Sequence, residues 1–215
     1  MSKTTDQMRT WQSEFGRAYT DRNLQSHDEM EKWYRENFGF TRTQLNERFV
    51  GGLGRSCRVL EVGANVGCQL EALQHMGFSN LYGIELQPYA VEMAKTRTKN
   101  INIIQGSGFD IPFKDGYFDL VFTSGVLFHI SPSDLREVLG EIYRCSARFI
   151  WGLEYWADTV EEIGYRGREG LLWKADYPRI YLAQFPDLRL VKEERIKYLQ
   201  GNNVDCMFLL ERARA

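Results

Sequence analysis

Arg58-Val59-Leu60-Glu61-Val62-Gly63-Ala64-Asn65-Val66-Gly67 decides the reading of the whole chain. Its first five residues form a short apolar run bounded by a turn, which predicts a strand. Gly63 and Gly67 then turn the chain, and Val66, Leu70 and Leu73 follow at helical spacing. Working outward, further strands are expected at 80–84, 101–104, 118–123 and 148–153. Pro88 opens a helix through Ala94, and Ser131-Pro132 starts another that runs to about Tyr143. This alternation predicts a parallel sheet with right-handed crossovers. It stops after Glu154, where residues 155–177 are polar, aromatic and without periodicity. Residues 188–198 and 204–211 then read as two strands joined at Gly201-Asn202-Asn203, a hairpin that puts an antiparallel strand in the sheet. The expected fold is α/β, a Rossmann-like mostly parallel sheet with an antiparallel C-terminal strand and an N-terminal helical cap.

The first fifty residues supply that cap. Met30, Trp33 and Tyr34 share one helical face, Gly39 is a stop, and Thr41 with Gln44 forms a capping-box pattern before Leu45 and Phe49. Lys and Arg number 8 against 8 Asp and Glu over residues 1–50, so this is no basic arm. Glycines 51, 52 and 54 separate the cap, residues 1–54, from a core at 55–215 that carries an insertion at about 154–180.

With 215 residues, 43% hydrophobic and 26% charged, the chain can bury a sizeable core. A net charge of −2 argues against a nucleic-acid partner. No apolar run approaches the roughly 20 residues of a membrane span, and residues 1–11 lack a signal-peptide core. The four cysteines show no C-x-x-C spacing, so no metal site is expected. These features together predict a reduced, cytoplasmic enzyme; they leave its oligomeric state open.

The glycine loop lies where strand one meets helix one, at the carboxyl edge where open α/β sheets bind ligands. Gly63 and Gly67 allow a tight turn, either for a ligand's close approach or simply to turn the chain. Glu85 follows Gly63 by 22 residues at the end of strand two, the place for a carboxylate that accepts hydrogen bonds from ribose hydroxyls. A dinucleotide fingerprint needs G-x-G-x-x-G, whereas Asn65 holds the second glycine position here. Glu61, two residues before Gly63, would repel a pyrophosphate but suits a ligand with an ammonium and a sulfonium. S-adenosylmethionine carries both. Beyond strand three, Phe109 in Gly106-Ser107-Gly108-Phe109-Asp110 offers a stacking face for adenine, or else belongs to the core.

Together, residues 58–130 resemble class I S-adenosylmethionine-dependent methyltransferases of the methyltransferase type 11 kind. The resemblance implies that the Gly63 loop meets the methionine part and Glu85 the ribose. Glu61, Asn65, Gly67, Leu86, Gly108, Phe109, Ser124 and Tyr19 complete the expected cofactor set. The family often has Asp at Ser107 to receive the adenine amino group; a backbone group or Asp110 would have to replace it.

Strand four leads into Thr123-Ser124-Gly125-Val126-Leu127-Phe128-His129-Ile130, without the Asn- or Asp-Pro-Pro-aromatic motif of DNA and some protein amino-methylating enzymes. His129 is the candidate catalytic base, or a histidine satisfied by its surroundings. The stretch 11–23, with Glu154-Tyr155, Tyr165-Arg166-Gly167 and 172–177, resembles the methyltransferases associated with pseudaminic acid biosynthesis. That resemblance implies a small-molecule acceptor, anionic and sugar-like, of the nonulosonic or nucleotide-activated kind. Tyr155, Tyr165, Arg166 and Lys174 are the expected substrate contacts, the two cations for a carboxylate or phosphate. Trp11 and Tyr19 either face the sulfonium from a lid or are core contacts of a helix that also carries Phe15. The rival functions are a methyltransferase of other secondary metabolism and a non-catalytic nucleotide-binding protein on the same fold.

Overall fold

The computed structural model describes residues 3–213. Four helices come first: α1 (Asp6–Gln12), α2 (Glu14–Arg22), α3 (His27–Phe38) and α4 (Arg42–Val50). The alternating core follows: β1 (Arg58–Val62), α5 (Cys68–His75), β2 (Asn80–Glu85), α6 (Pro88–Arg97), β3 (Ile101–Gln105), β4 (Phe118–Ser124), α7 (Pro132–Cys145) and β5 (Ser146–Tyr155). A small ribbon, β6 (Glu161–Glu162) with β7 (Trp173–Lys174), precedes α8 (Tyr177–Gln184) and the hairpin β8 (Leu188–Lys197) and β9 (Val204–Arg212). The main sheet has the order β3-β2-β1-β4-β5-β9-β8, with β9 antiparallel to both neighbours. β1 is central, pairing in parallel with β2 and β4, so the order reverses beside the glycine loop.

Alternation along the strands sorts the core into two faces. Val59, Leu120, Phe122 and Leu209 pack with Tyr34, Phe38, Leu45, Phe49 and Leu73 on the face covered by α3, α4 and α5. Leu60, Val121, Phe208 and Leu210 pack with Leu135, Leu139, Ile142 and Tyr181 on the face covered by α7 and α8. The region 27–50 therefore shares the sheet's own core, because Leu45 and Val50 are fully buried there. α1 and α2 lie over the carboxyl edge of the strands, where Met30, Trp33 and Tyr34 of α3 also line the cavity. The cap expected over residues 1–54 thus divides into a lid and a layer of the core.

The local signals explain most element ends. Thr41 and Gln44 close a capping box at the start of α4. Gly39 ends α3 in a left-handed conformation at φ 83°. Trp11, Phe15 and Tyr19 are not on one helix, since Ser13 interrupts it in an extended conformation and caps α2 through Oγ. α8 has its own start signal, Asp176 accepting the Arg179 N–H with Pro178 in the first turn. Among the described residues no helix is long and apolar enough to cross a membrane.

Candidate active site

A cavity of about 440 Å³ runs along the carboxyl edge, from the loop after β3 to the start of β9. That volume is in the range of small-molecule and cofactor sites. α1 and α2 close one side of it. Gln87, just before α6, ties down their junction by donating from Nε2 to the Trp11 carbonyl (3.0 Å) and the Ser13 carbonyl (3.1 Å).

The glycine loop is built for this edge. Gly63 (φ 78°) and Gly67 (φ 86°) take left-handed backbone that other residues resist, and Asn65 joins them at φ 46°. A side chain on Gly63 would lie 2.5 Å from Val126, and one on Gly67 would lie 2.8 Å from Ile103. The close approach is therefore to the protein's own atoms. Gly63 and Asn65 line the cavity, while Gly67 stands behind it at the start of α5.

Glu85 ends β2 beside the loop. Its carboxylate accepts the Asn65 N–H (2.8 Å) and the Gln87 N–H (2.7 Å). A carboxylate has about four lone-pair sites, so capacity remains for two hydroxyls. Burial raises its pKa, and the amide donors oppose that rise. Glu61, at the bottom of the loop, is only 2% exposed and its Oε2 has no partner. Burial pushes its carboxyl well above the ordinary value, with Arg42 pulling it back and Glu85 adding to the rise. An unsatisfied buried carboxylate oxygen is costly unless a ligand supplies a donor.

Leu86, Gly108, Ser124 and Tyr19 also line the cavity. Phe109 belongs to the α7 face of the core and shows the cavity its remaining edge. Ser107 Oγ accepts the Phe109 N–H (3.2 Å). Asp110 is exposed and stands outside this lining, in an adjoining pocket that shares Leu86, Gly106, Ser107 and Phe109 with it.

His129 lies on a short 3-10 turn after β4, 8% exposed, against Trp11 (ring centroids 4.5 Å) and Phe128 (4.4 Å). Its Nδ1 is 2.6 Å from the Leu171 carbonyl and must carry the proton there, which leaves the lone pair on Nε2. Burial pushes its pKa down to about 4, against the opposing Leu171 bond. The ring is neutral at pH 7 and a weak base. Glu154 supports the same turn, accepting the Val126 N–H (3.0 Å) and the Phe128 N–H (3.4 Å).

The expected substrate contacts do not converge. Tyr155 lines the cavity and stacks on Phe128 (4.6 Å). Tyr165 covers the outer side of His129 (5.2 Å). Arg166 sits on an exposed turn closed by the Tyr165 N–H to the Arg168 carbonyl, outside the lining. Lys174 also stands outside it, donating to Asn203 Oδ1 (2.7 Å). Trp173 is buried and offers no free face.

Four participants gave little sign in the sequence. Arg42 is completely buried behind Ser124, donating to Asn46 Oδ1 (2.7 Å), Tyr34 Oη (2.7 Å) and Ser124 Oγ (3.1 Å). Tyr34, Tyr198 and Asp205 line the cavity's far end. No Lys or Arg lines the cavity among the described residues, whereas Glu61, Glu85, Asp134, Glu154 and Asp205 do. That wall fits the sulfonium and ammonium of S-adenosylmethionine and opposes a pyrophosphate. Glu61, Asn65 and Glu85 line the cavity and would be the residues to hold such a cofactor. Among the described residues no group of three or more His, Cys, Asp or Glu is arranged to hold a metal.

Residues 60–148 match the family described as "Methyltransferase domain". An uncharacterized methyltransferase of Synechocystis sp. is 32% identical over 66 residues, 31% of this chain and 31% of that protein. A 24-methylenesterol C-methyltransferase 2 of Arabidopsis thaliana is 30% identical over 93 residues, 40% of this chain and 25% of that protein. The matched stretch thus spans under a third of these relatives. Among solved structures, a protein of Pyrococcus horikoshii OT3 superposes with a TM-score of 0.66 at 19% identity, covering 93% of this chain and 99% of that one. A Burkholderia thailandensis 1,6-didemethyltoxoflavin-N1-methyltransferase, solved with 1,6-didemethyltoxoflavin and S-adenosylhomocysteine, gives 0.67 at 15% identity over 94% and 90% of the two chains. These structures share the fold. The family match and the acid-lined cavity support S-adenosylmethionine as cofactor and an S-adenosylmethionine-dependent methyltransferase.

Proposed function

We propose that the protein transfers a methyl group from S-adenosylmethionine to an oxygen or nitrogen of a small molecule bound in the same cavity. The observation that carries this reading is Glu85, held by two backbone amides beside the Gly63 loop, together with the unpartnered Glu61 oxygen one strand away. When bound, the cofactor supplies an electrophilic methyl group on a good leaving group. The protein's share is then to hold, align and desolvate. α1 and α2 exclude water from one side, and Glu61 receives the ammonium. Neutral His129 contributes a hydrogen-bond acceptor at Nε2 and does little as a base. Trp11, Tyr19, Phe128 and Tyr155 give the cavity an aromatic wall that suits a flat-faced acceptor.

A nonulosonic or nucleotide-activated sugar, the acceptor implied by the sequence resemblance, has less support. Its anionic group needs a cation, and Arg166 and Lys174 lie outside the cavity. The function is tested by incubating the protein with methyl-labelled S-adenosylmethionine and a library of phenols, amines, sugars and sugar acids. Transfer of label to any small molecule supports it. Saturable cofactor binding with no transfer to any compound class favours the non-catalytic rival.

A further inference from the structure

The cavity has an end that the nucleoside does not need. Glu85 closes β2, and Asp205 is the second residue of β9. Because β9 runs antiparallel to β5, its first residues lie at the same carboxyl edge as Glu85, with Asp205 paired to Tyr155. The order β2-β1-β4-β5-β9 separates the two acids by four strand steps. At the usual spacing that is about 19 Å. A ribose held by Glu85 would keep the sulfonium only one methylene from the sugar, far short of that distance. The β5–β9 end remains for the second substrate.

That end has a distinct chemistry. Tyr198 Oη donates to Asp205 Oδ2 (3.3 Å), while Asp205 Oδ1 has no partner and the residue is only 7% exposed. A role limited to orienting Tyr198 explains one oxygen and leaves the other unexplained. The groups facing Asp205 are Tyr34 on α3, Tyr155 on β5, Tyr198 after β8, Arg42 on α4 and Lys174 on β7. Neither cation has a hydrogen bond to Asp205: Arg42 donates to Tyr34, Asn46 and Ser124 with its Nη2 left unpartnered and lies over the Tyr34 ring (5.4 Å), and Lys174 donates to Asn203 and lies over the Tyr155 ring (5.6 Å). Trp33, Tyr34, Tyr155 and Tyr198 line the same cavity, with Phe128 stacked on Tyr155. Aromatic faces with a buried carboxylate attract a cation or a neutral hydrogen-bond donor and repel an anion.

We propose that the β5–β9 end of the cavity binds the methyl-accepting substrate, and that this substrate is a flat-faced, neutral or cationic hydrogen-bond donor received by Asp205 Oδ1. This rests on the methyltransferase reading and narrows its substrate class away from sugar acids. Burial, the largest influence on Asp205, pushes its carboxyl up to about 7, so a cationic donor would also favour its ionised form.

The test uses three probes that share a phenol ring: tyramine (cationic), tyrosol (neutral) and 4-hydroxyphenylacetate (anionic). Each is titrated calorimetrically into the protein with and without saturating S-adenosylhomocysteine. Tyramine and tyrosol should bind, with 4-hydroxyphenylacetate weaker by about tenfold or more. Asp205→Asn should weaken tyramine by about tenfold, to the level of tyrosol, and leave S-adenosylhomocysteine affinity within about twofold. The proposal is overturned if the anion binds as tightly as the other two, or if no probe binds. It is also overturned if Asp205→Asn weakens S-adenosylhomocysteine instead, which would assign Asp205 to the cofactor. Should that variant not fold, the charge series on the wild-type protein decides alone. Failure of S-adenosylhomocysteine to bind wild type sinks the methyltransferase reading separately, since the series without it still reports the cavity's charge preference.

Discussion

Glu85 and Glu154 are both carboxylates at strand ends, the first half-buried and the second buried, and their partners give them different work. Glu85 holds the glycine loop through Asn65 and keeps lone pairs for a ligand. Glu85→Gln should therefore weaken S-adenosylhomocysteine binding by about 1–3 kcal/mol, the scale for hydrogen bonds to a charged group. Calorimetry reads this, and an unchanged affinity removes Glu85 from the ribose site. Glu154 is satisfied by the turn at 126–128, and burial raises its pKa to about 7. Its folded-state pKa lies above its unfolded one, so its contribution is fully present below about 4.5 and is lost as pH rises through about 7. His129 has the opposite sign: its pKa is depressed to about 4, so its contribution is lost as pH falls from about 6.5. Comparing Glu154→Gln with wild type cancels the histidine. The variant's Tm should gain on wild type between about pH 5 and pH 8, and a constant difference would refute the assignment. At this scale the positions of Gly63, Glu61 and Glu85 at the carboxyl edge were legible, because they follow from the strand-turn-helix pattern around them. Asp205 was not, since nothing in Val204-Asp205-Cys206 tells a buried acid from an exposed one.

Elements were most legible where a chemical signal marks their ends. The capping box at Thr41 and the Ser131-Pro132 start of α7 both stand where sequence placed them, although Ser131 makes no side-chain cap bond. The break at Ser13 was hidden because the spacing of Trp11, Phe15 and Tyr19 suits one continuous helix. The chain bends there and still brings the three rings together, at 5.3 and 5.2 Å from Trp11. α8 was overlooked behind the aperiodic stretch before it, though Asp176 and Pro178 announce it. At the α1–α2 joint Gln87 Nε2 donates to the carbonyls on both sides, while Gln7 donates to the Gly170 carbonyl and Asp21 accepts from Tyr89 further along the two helices. Gln87→Ala should raise amide hydrogen exchange across residues 6–22 and weaken S-adenosylhomocysteine several-fold, with exchange in β1 and β4 unchanged. Protection of 6–22 at the wild-type level would show the lid is held by its aromatic contacts.

At the scale of the molecule, the parallel strands and the antiparallel β9 follow from alternation and from the hairpin at Gly201-Asn202-Asn203, whereas the order of the strands is set by tertiary packing. Hydrophobic period and turn chemistry are local, so they survive in the sequence. The far end of the cavity is assembled from α3, β5, the β8–β9 hairpin and Arg42 behind it, with sequence separations that no local pattern records. The insertion drew attention for its Arg166 and Lys174, yet packing keeps them outside and turns Tyr165 onto His129. The central claim is that this edge is an acid-lined site for a sulfonium nucleoside. Competition calorimetry with S-adenosylhomocysteine and NAD tests it most directly. The account predicts saturable, one-to-one binding of S-adenosylhomocysteine that excess NAD does not displace. Binding of NAD in its place, or no binding of S-adenosylhomocysteine at all, would contradict it.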